Sequence, residues 1–367
     1  MSPASRWQPL LPEDLACKAM DLAEEIAVAS EELPPVLRRY RPGDRVALTS
    51  GWAGRALFLA YLEQARPGRG WGDRAVELLD QAIEELSEVP ADPGLYAGFT
   101  GVAWVLEHLQ GRLIDGSEDP GEEIASAVEG ALRASARPGG FDLISGVAGL
   151  GVYVLERGAR PGARDCLCQV VDYLAQTADR RDGTAGWRTP PDRVPVDRKE
   201  LFPDGYYFTG VAHGVAGVIA LLAEAQAAGV EARPLLDEAV TWLLRHKLPA
   251  GEGPVYPAEV APAAEPRPTR LAWCHGDPGI AAALLGAARR AGVPEWEGEA
   301  VALARHSAGR SAAERNITDA SLCHGSAGLM HLFNRLFQAT GEPGLADAAR
   351  FWFDRTLELR RPGQGVA

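Results

Sequence analysis

The 367-residue sequence has no run of about 18 consecutive apolar residues, so we expect no membrane-spanning helix. It also has no excess of basic residues: 37 lysines and arginines stand against 50 aspartates and glutamates, a net charge of −13. Nucleic acids and anionic membranes require cationic surfaces, so this balance argues against both as partners. Cysteine is scarce, and five cysteines are an odd number in a chain that starts without a secretory-signal pattern. We therefore expect a cytoplasmic protein with metal or thiol chemistry rather than disulfides.

The sequence also lacks the alternation of apolar and polar residues that indicates strands, and a helical repeat takes its place. A Gly-x-x-Gly element occurs six times, and each copy precedes an apolar run of helical length. Because these runs are apolar nearly all round, we interpret them as buried helices. The runs are Arg55–Ala65, Val102–Gln110, Leu150–Gly158, Val218–Ala228, Ile280–Ala291 and Leu329–Ala339.

Amphipathic segments alternate with the buried helices and indicate an outer layer. We predict these helices at 13–31, 71–88, 121–136, 161–178, 232–247, 296–310 and 344–360. One buried and one amphipathic helix recur about every 50 residues. Glycine at the start of each buried helix allows close approach around one axis, which favours a closed barrel over an open solenoid. The prediction is an all-α protein, an α/α toroid of six to seven inner and seven outer helices.

Two stretches rich in proline and charged residues interrupt the repeat, at 180–208 and 249–269. Long loops in compact proteins often carry function. We expect residues 1–367 to form a single α/α-toroid domain with these two loops at the mouth of its active site.

The repeat register brings histidines and cysteines into common positions. In the last three repeats the residue before the first glycine is His213, His275 or His324, and Cys274 and Cys323 lie one position earlier. Equivalent repeat positions lie at equivalent heights of a barrel, so these side chains should surround one opening. Thiolate and imidazole are ligands that zinc prefers, and three protein ligands leave a fourth position open, as in catalytic sites. The spacing predicts a zinc site but leaves open whether His275 or His324 is the ligand.

These motifs resemble those of the lanthionine synthetase C family, from about Ser50 to the last helix. They are Ala212-His213-Gly214, Trp273-Cys274-His275-Gly276 and Cys323-His324-Gly325. The family fold is an α/α toroid with seven inner and seven outer helices, one inner helix more than this sequence indicates. The resemblance implies a lanthipeptide cyclase, which adds cysteine thiols of a dehydrated precursor (leader–core) peptide to dehydroalanine or dehydrobutyrine. The products are lanthionine or methyllanthionine thioether rings.

The resemblance also implies what individual residues do. The implied ligands of a Zn²⁺ cofactor are Cys274, Cys323 and His324. His213 matches the histidine that handles the proton when the enolate is protonated, a task suited to imidazole near neutral pH.

The resemblance also implies catalytic roles for three further residues, and each of them has a second possible role. Asp142 matches the family's aspartate, which can orient a histidine, but it can also simply cap the following helix. Arg270 matches an arginine that can stabilise the enolate oxygen, but it can also be an ordinary surface arginine. His275 stands where members often have tyrosine, and its imidazole can donate a hydrogen bond or compete for zinc.

Other functions are compatible with the same sequence. A LanC-like zinc protein can bind glutathione or add thiols to modified proteins. A carbohydrate-active α/α-barrel hydrolase would instead use two carboxylates, for which Asp142 and Asp277 are available. The protein can also be a non-catalytic scaffold. For the cyclase, a separate dehydratase and an export transporter are the expected further partners, with a location in the cytoplasm or at the periphery of a membrane-associated complex.

Overall fold

The structure is a computed structural model that describes residues 7–32, 44–114, 122–133, 140–261, 264–310, 317–361 and 365–366. The chain divides into two compact units. The N-terminal unit is Ala19–Gln176, and the C-terminal unit is Thr177–Ala367 together with Met1–Lys18. None of the helices in the described ranges is both long and apolar enough to span a bilayer. That residues 1–367 act as a single domain stays a prediction.

Of the first seven α-helices, the N-terminal unit contains five completely and the greater part of the first and the seventh. They are α1 (Glu13–Glu32), α2 (Trp52–Ala65), α3 (Trp71–Glu88), α4 (Phe99–Leu109), α5 (Glu122–Arg133), α6 (Val147–Arg157) and α7 (Ala163–Thr177). Helices α2, α4 and α6 begin within the glycine elements, and the amphipathic helices alternate with them as predicted. Leu59 of α2, Leu79 of α3 and Leu109 of α4 belong to one buried core. Burial of each such side chain contributes about 1.5–3 kcal/mol.

The C-terminal unit contains six α-helices and three pairs of short antiparallel strands. The helices are α8 (Val215–Ala227), α9 (Arg233–Arg245), α10 (Asp277–Ala291), α11 (Pro294–Arg310), α12 (Ser326–Thr340) and α13 (Pro343–Glu358). The paired strands are β1 (Asp179–Arg181) with β2 (Thr184–Gly186), β3 (Tyr207–Phe208) with β4 (Glu259–Val260), and β5 (Arg360–Arg361) with β6 (Gly365–Val366). The sequence did not predict these strands, because two or three residues are too few to show alternation.

The apolar helices begin about three residues earlier than their apolar runs suggested. Each starts directly after the first glycine of its element, so the second glycine lies inside the first turn. At Gly279 an added Cβ would lie 2.0 Å from the carbonyl oxygen of Trp273, because the preceding loop folds back over the start of α10. Glycine is therefore required here by close approach of backbone, not as a helix breaker.

Backbone hydrogen bonds hold neighbouring repeats side by side within the N-terminal unit. The Thr49 N–H donates to the Tyr96 carbonyl at 3.1 Å, and the Tyr96 N–H donates to the Ile144 carbonyl at 3.1 Å. All three residues lie two positions before the first glycine of their element. Residues at equivalent positions of neighbouring repeats therefore lie side by side in the structure, as the sequence predicted.

Candidate metal centre

The same backbone pairing joins the loops that precede α8, α10 and α12. The Ala212 N–H donates to the Cys274 carbonyl at 3.0 Å, and the Trp273 N–H donates to the Cys323 carbonyl at 3.1 Å. A Cβ added at Gly210 would lie 2.4 Å from the Cys274 carbonyl oxygen, so the loops before α8 and α10 are in close contact. Segments more than 100 residues apart in the chain thus meet at the starts of three helices.

Two cysteines and a histidine form a cluster at this point. One ligand atom each of Cys274, Cys323 and His324 lies within 4.8 Å of the others. Cys274 is buried, whereas Cys323 and His324 are half-buried. Among the described residues His324, and not His275, lies in this group, so His324 as a metal ligand stays a prediction that the geometry permits.

The two thiols differ in acidity because they share a hydrogen bond. The Cys323 thiol donates to Cys274 and lowers the pKa of Cys274 to about 6 against the effect of burial. Positive charge on His324 and Arg270 and the backbone N–H of His275 act in the same direction. The same hydrogen bond, together with burial, raises the pKa of Cys323. Near neutral pH the pair is one thiolate and one thiol that share a proton.

The cluster fits a tetrahedral metal ion in both donor type and spacing. A zinc ion with bonds of ~2.3 Å to sulfur and ~2.0 Å to nitrogen separates its ligand atoms by roughly 3.5–3.8 Å. The three atoms lie within 4.8 Å of one another, so small side-chain movements bring all of them onto one ion. Three donors leave one coordination position for a further ligand.

Asp319 lies beside the histidine of the cluster, and sequence reasoning did not select it. Its Oδ2 is 4.0 Å from His324 Nε2. Its Oδ1 accepts a hydrogen bond from the Ser321 N–H at 2.9 Å. Burial raises the pKa of Asp319, but the hydrogen bonds from Ser321 and the charge of His324 outweigh it and lower the pKa overall. A carboxylate beside a metal-ligating imidazole can orient the ring.

His213 and His275 form a ring cluster with Phe208 next to the cysteines. The two imidazoles are stacked with centroids 5.8 Å apart, and the Phe208 ring lies 4.8 Å from His275 and 6.0 Å from His213. Burial, and then the charge of His213, lowers the pKa of His275 to about 4. His275 is therefore uncharged near neutral pH, and its buried Nδ1 has no hydrogen-bond partner among the described residues.

Arg270 is half-buried and acts on this region through its charge. It lowers the pKa of Cys274 and of His275. It forms no ion pair with a described carboxylate, so its guanidinium is available to a bound anion.

Asp142 lies in the N-terminal unit, at the start of α6. Its Oδ1 accepts hydrogen bonds from the backbone N–H groups of Ser145 at 2.8 Å and Gly146 at 3.1 Å. These are the contacts of the capping alternative. The catalytic role of Asp142 stays a prediction.

Asp277 has a structural role, and its burial keeps it from contacting a substrate. It is fully buried, and its carboxylate accepts hydrogen bonds from the N–H groups of Val255 at 2.8 Å and Tyr256 at 3.1 Å. Arg310 lies 3.1 Å from the same carboxylate. Burial raises the pKa of Asp277, against the effects of these partners. With Asp277 sealed off, the carbohydrate-hydrolase alternative loses one of its two acids.

A buried carboxylate joins the two long loops near the histidines. Glu259 on β4 accepts a hydrogen bond from Arg198 at 2.6 Å and another from Arg267 at 2.7 Å. The Arg198 guanidinium also lies 4.8 Å from the centre of the Phe202 ring. Sequence reasoning missed Glu259, since a single acid within a loop carries no periodic signal.

The fold and the site together define an all-α repeat protein whose helix-initiating loops gather a two-cysteine, one-histidine cluster. A family model for lanthionine synthetase C-like proteins matches residues 44–359. The chain therefore belongs to the lanthionine synthetase C-like family.

Two relatives support this placement. The nisin biosynthesis protein NisC of Lactococcus lactis subsp. lactis is 24% identical over 193 residues, which are 50% of this chain and 46% of that protein. The match thus spans less than half the length of this curated relative. The solved structure of a nisin cyclase has a TM-score of 0.74 at 18% identity and covers 93% of this chain and 87% of that chain. This likeness shows the fold and confirms the all-α, α/α-toroid class.

Proposed function

We propose that this chain is a zinc-dependent lanthipeptide cyclase. The observation that carries the proposal is the convergence of Cys274, Cys323 and His324 within 4.8 Å in a member of this family. The substrate is a ribosomally made precursor peptide that is already dehydrated at serine or threonine. A separate dehydratase supplies it, an export transporter removes the product, and the reaction takes place in the cytoplasm or beside a membrane-associated complex.

Cys274, Cys323 and His324 would hold the zinc ion. When bound, zinc deprotonates a coordinating thiol, which here is the cysteine of the peptide. In the metal-free chain Cys274 is already poised as a thiolate at about pH 6 and above.

The remaining residues manage the charge and the proton of the addition. The peptide thiolate forms a carbon–sulfur bond to the β-carbon of the dehydro residue, and the π-electron pair moves to the carbonyl oxygen as an enolate. Arg270, which has no carboxylate partner among the described residues, stabilises that negative charge. His213 donates the proton that the α-carbon takes up. No atom leaves, so the cyclic product is an isomer of the linear peptide.

His275 and Asp142 support the proton transfer. His275 is uncharged near neutral pH and stacks on His213, so it provides a hydrogen-bond donor without adding positive charge next to the proton carrier. Asp142 orients a histidine or holds a charged group of the peptide. We assign both roles as proposals that substitution can test.

We further propose that residues 1–367 act as one α/α-toroid domain with loops 180–208 and 249–269 at the mouth of the active site. The support is the Glu259 carboxylate, which binds an arginine from each loop. In addition, the ring of Phe208, the last residue of the first loop, contacts His275.

The test combines metal analysis with ring formation. Purified protein should contain roughly one zinc per chain. On incubation with a dehydrated precursor peptide, the peptide mass should stay constant while thiols that react with iodoacetamide disappear. If the thiols persist and glutathione adds to the dehydro residues instead, the protein is a thiol-adding relative and not a cyclase. Ring formation that survives Cys274→Ala would refute the zinc mechanism.

A further inference from the structure

The strand pair β3–β4 separates the histidine cluster from a cavity. Phe208 and Tyr207 are successive residues of β3, and successive strand residues point to opposite faces. The Phe208 ring contacts His275, whereas the Tyr207 ring lies 5.5 Å from Trp242 of α9. On the Tyr207 side is a cavity of about 410 Å³. The cavity and the proposed active site therefore lie on opposite faces of one thin ribbon.

Arginines without carboxylate partners line this cavity. The Nη1 of Arg188 donates to the backbone carbonyl of Asp204 at 3.1 Å, and the Nη1 of Arg245 donates to the backbone carbonyl of Asp182 at 3.2 Å. Neither guanidinium pairs with a carboxylate of a described residue. Arg181 also lines the cavity, but it pairs with Asp179 at 3.3 Å, so Arg188 and Arg245 supply the guanidinium groups that are open to an anion.

The rest of the lining is apolar and aromatic. Trp242, Val260 and Ala261 contribute apolar surface, and the His246 ring lies 4.0 Å from Trp242. The Tyr207 hydroxyl donates to Asp179, and burial and this hydrogen bond raise the pKa of Tyr207 to about 12. Tyr207 therefore stays neutral and adds no negative charge. A few polar groups over an apolar surface are typical of a ligand pocket of this size.

We infer that this cavity binds an acidic side chain of the precursor peptide, together with an apolar neighbour, outside the segment that forms the rings. The inference rests on the proposed function. Guanidinium groups match the planar carboxylate, and the tryptophan surface accepts the apolar residue. A peptide held here keeps a high effective concentration of its thiols at the other face of the ribbon.

The test uses two fluorescein-labelled peptides, Leu-Glu-Leu-Glu-Leu and its counterpart Leu-Gln-Leu-Gln-Leu, and fluorescence anisotropy with the full chain. The glutamate peptide should bind at least about tenfold more tightly, and Arg188→Ala or Arg245→Ala should each weaken its binding about tenfold. Arg193→Ala is the matched control, because Arg193 is exposed in the same loop but does not line the cavity. This variant should bind as the native chain does.

Equal binding of the two peptides by the native chain would overturn the inference, and this comparison needs no variant that could misfold. So would unchanged affinity in Arg188→Ala and Arg245→Ala, or displacement of the peptide by millimolar inorganic phosphate but not by acetate. Neither peptide contains cysteine or a dehydro residue, so Cys274→Ala should bind the glutamate peptide normally. Ring formation without glutamate-peptide binding refutes the cavity alone. Binding without ring formation supports the cavity and refutes the proposed function.

Discussion

Substitution of Asp277 by alanine should destabilise the protein strongly, because it removes a buried carboxylate that binds Arg310 and two backbone N–H groups. The side chain of Arg310 is only 9% exposed and lies 3.1 Å from the Asp277 carboxylate. Its other terminal nitrogen donates to the carbonyl of Thr269 at 3.0 Å, which does not neutralise the guanidinium. Removal of one partner of a buried ion pair typically costs about 3–5 kcal/mol. The N–H groups of Val255 and Tyr256 also lose their acceptor.

The measurement is the free energy of unfolding from urea titration followed by circular dichroism. Asp347→Ala is the matched control, since Asp347 is 78% exposed and pairs with Arg350 on the surface. It should change the free energy by less than about 1 kcal/mol. The double variant Asp277→Ala, Arg310→Met should be more stable than Asp277→Ala alone, because it also removes the buried guanidinium that has lost the Asp277 carboxylate. If Asp277→Ala costs no more than the control, the ion pair does not stabilise this region as argued.

The helical repeat was predictable because it rests on residues that recur. Apolar runs with helical length gave every buried helix, and charged segments gave the amphipathic helices between them. In the described residues there are six of the former and seven of the latter, as the sequence indicated. The helix starts were misplaced because Gly279 and its counterparts were taken as loop residues. Their real constraint, a carbonyl 2.0 Å from the missing Cβ, is a tertiary contact that no local pattern records.

The cluster of cysteines and histidine was predictable for the same reason. Cys274 and Cys323 occupy the same position of the repeat. Backbone hydrogen bonds between the two loops bring residues at this position close together. His324 and His275 also occupy the same position of the repeat, so only the three-dimensional structure shows which of them lies near both cysteines.

The supporting residues could not be predicted, because they lie in irregular loops. Asp319 lies beside His324 in a turn in which its Oδ1 accepts a hydrogen bond from the Ser321 N–H. Glu259 meets Arg198, which is 61 residues away, across two long loops. Such contacts depend on how loops fold over helix ends, and neither periodicity nor spacing encodes that path.

Five further substitutions test the proposed site. Cys274→Ala and Cys323→Ala should each lose zinc and ring formation, measured by metal analysis and thiol alkylation; retained zinc would exclude them as ligands. His213→Asn should keep zinc but slow turnover by about 10²–10⁴-fold, and unchanged turnover would remove its proton-transfer role. Asp319→Asn should weaken zinc affinity about 10–100-fold in a chelator competition, whereas unchanged affinity would mean that the carboxylate does not hold His324. His275→Tyr tests pH dependence in the metal-free protein. The pKa of His275 is about 4 in the folded chain and 6.5 ordinarily, so the unfolded chain binds the proton more readily between these values. Stability should be fully present above about pH 6.5 and fall by at most about 3 kcal/mol as the pH drops toward 4. Tyrosine does not titrate there, so thermal melts of His275→Tyr should show a smaller fall. An equal fall in both proteins would show that His275 is not the group responsible.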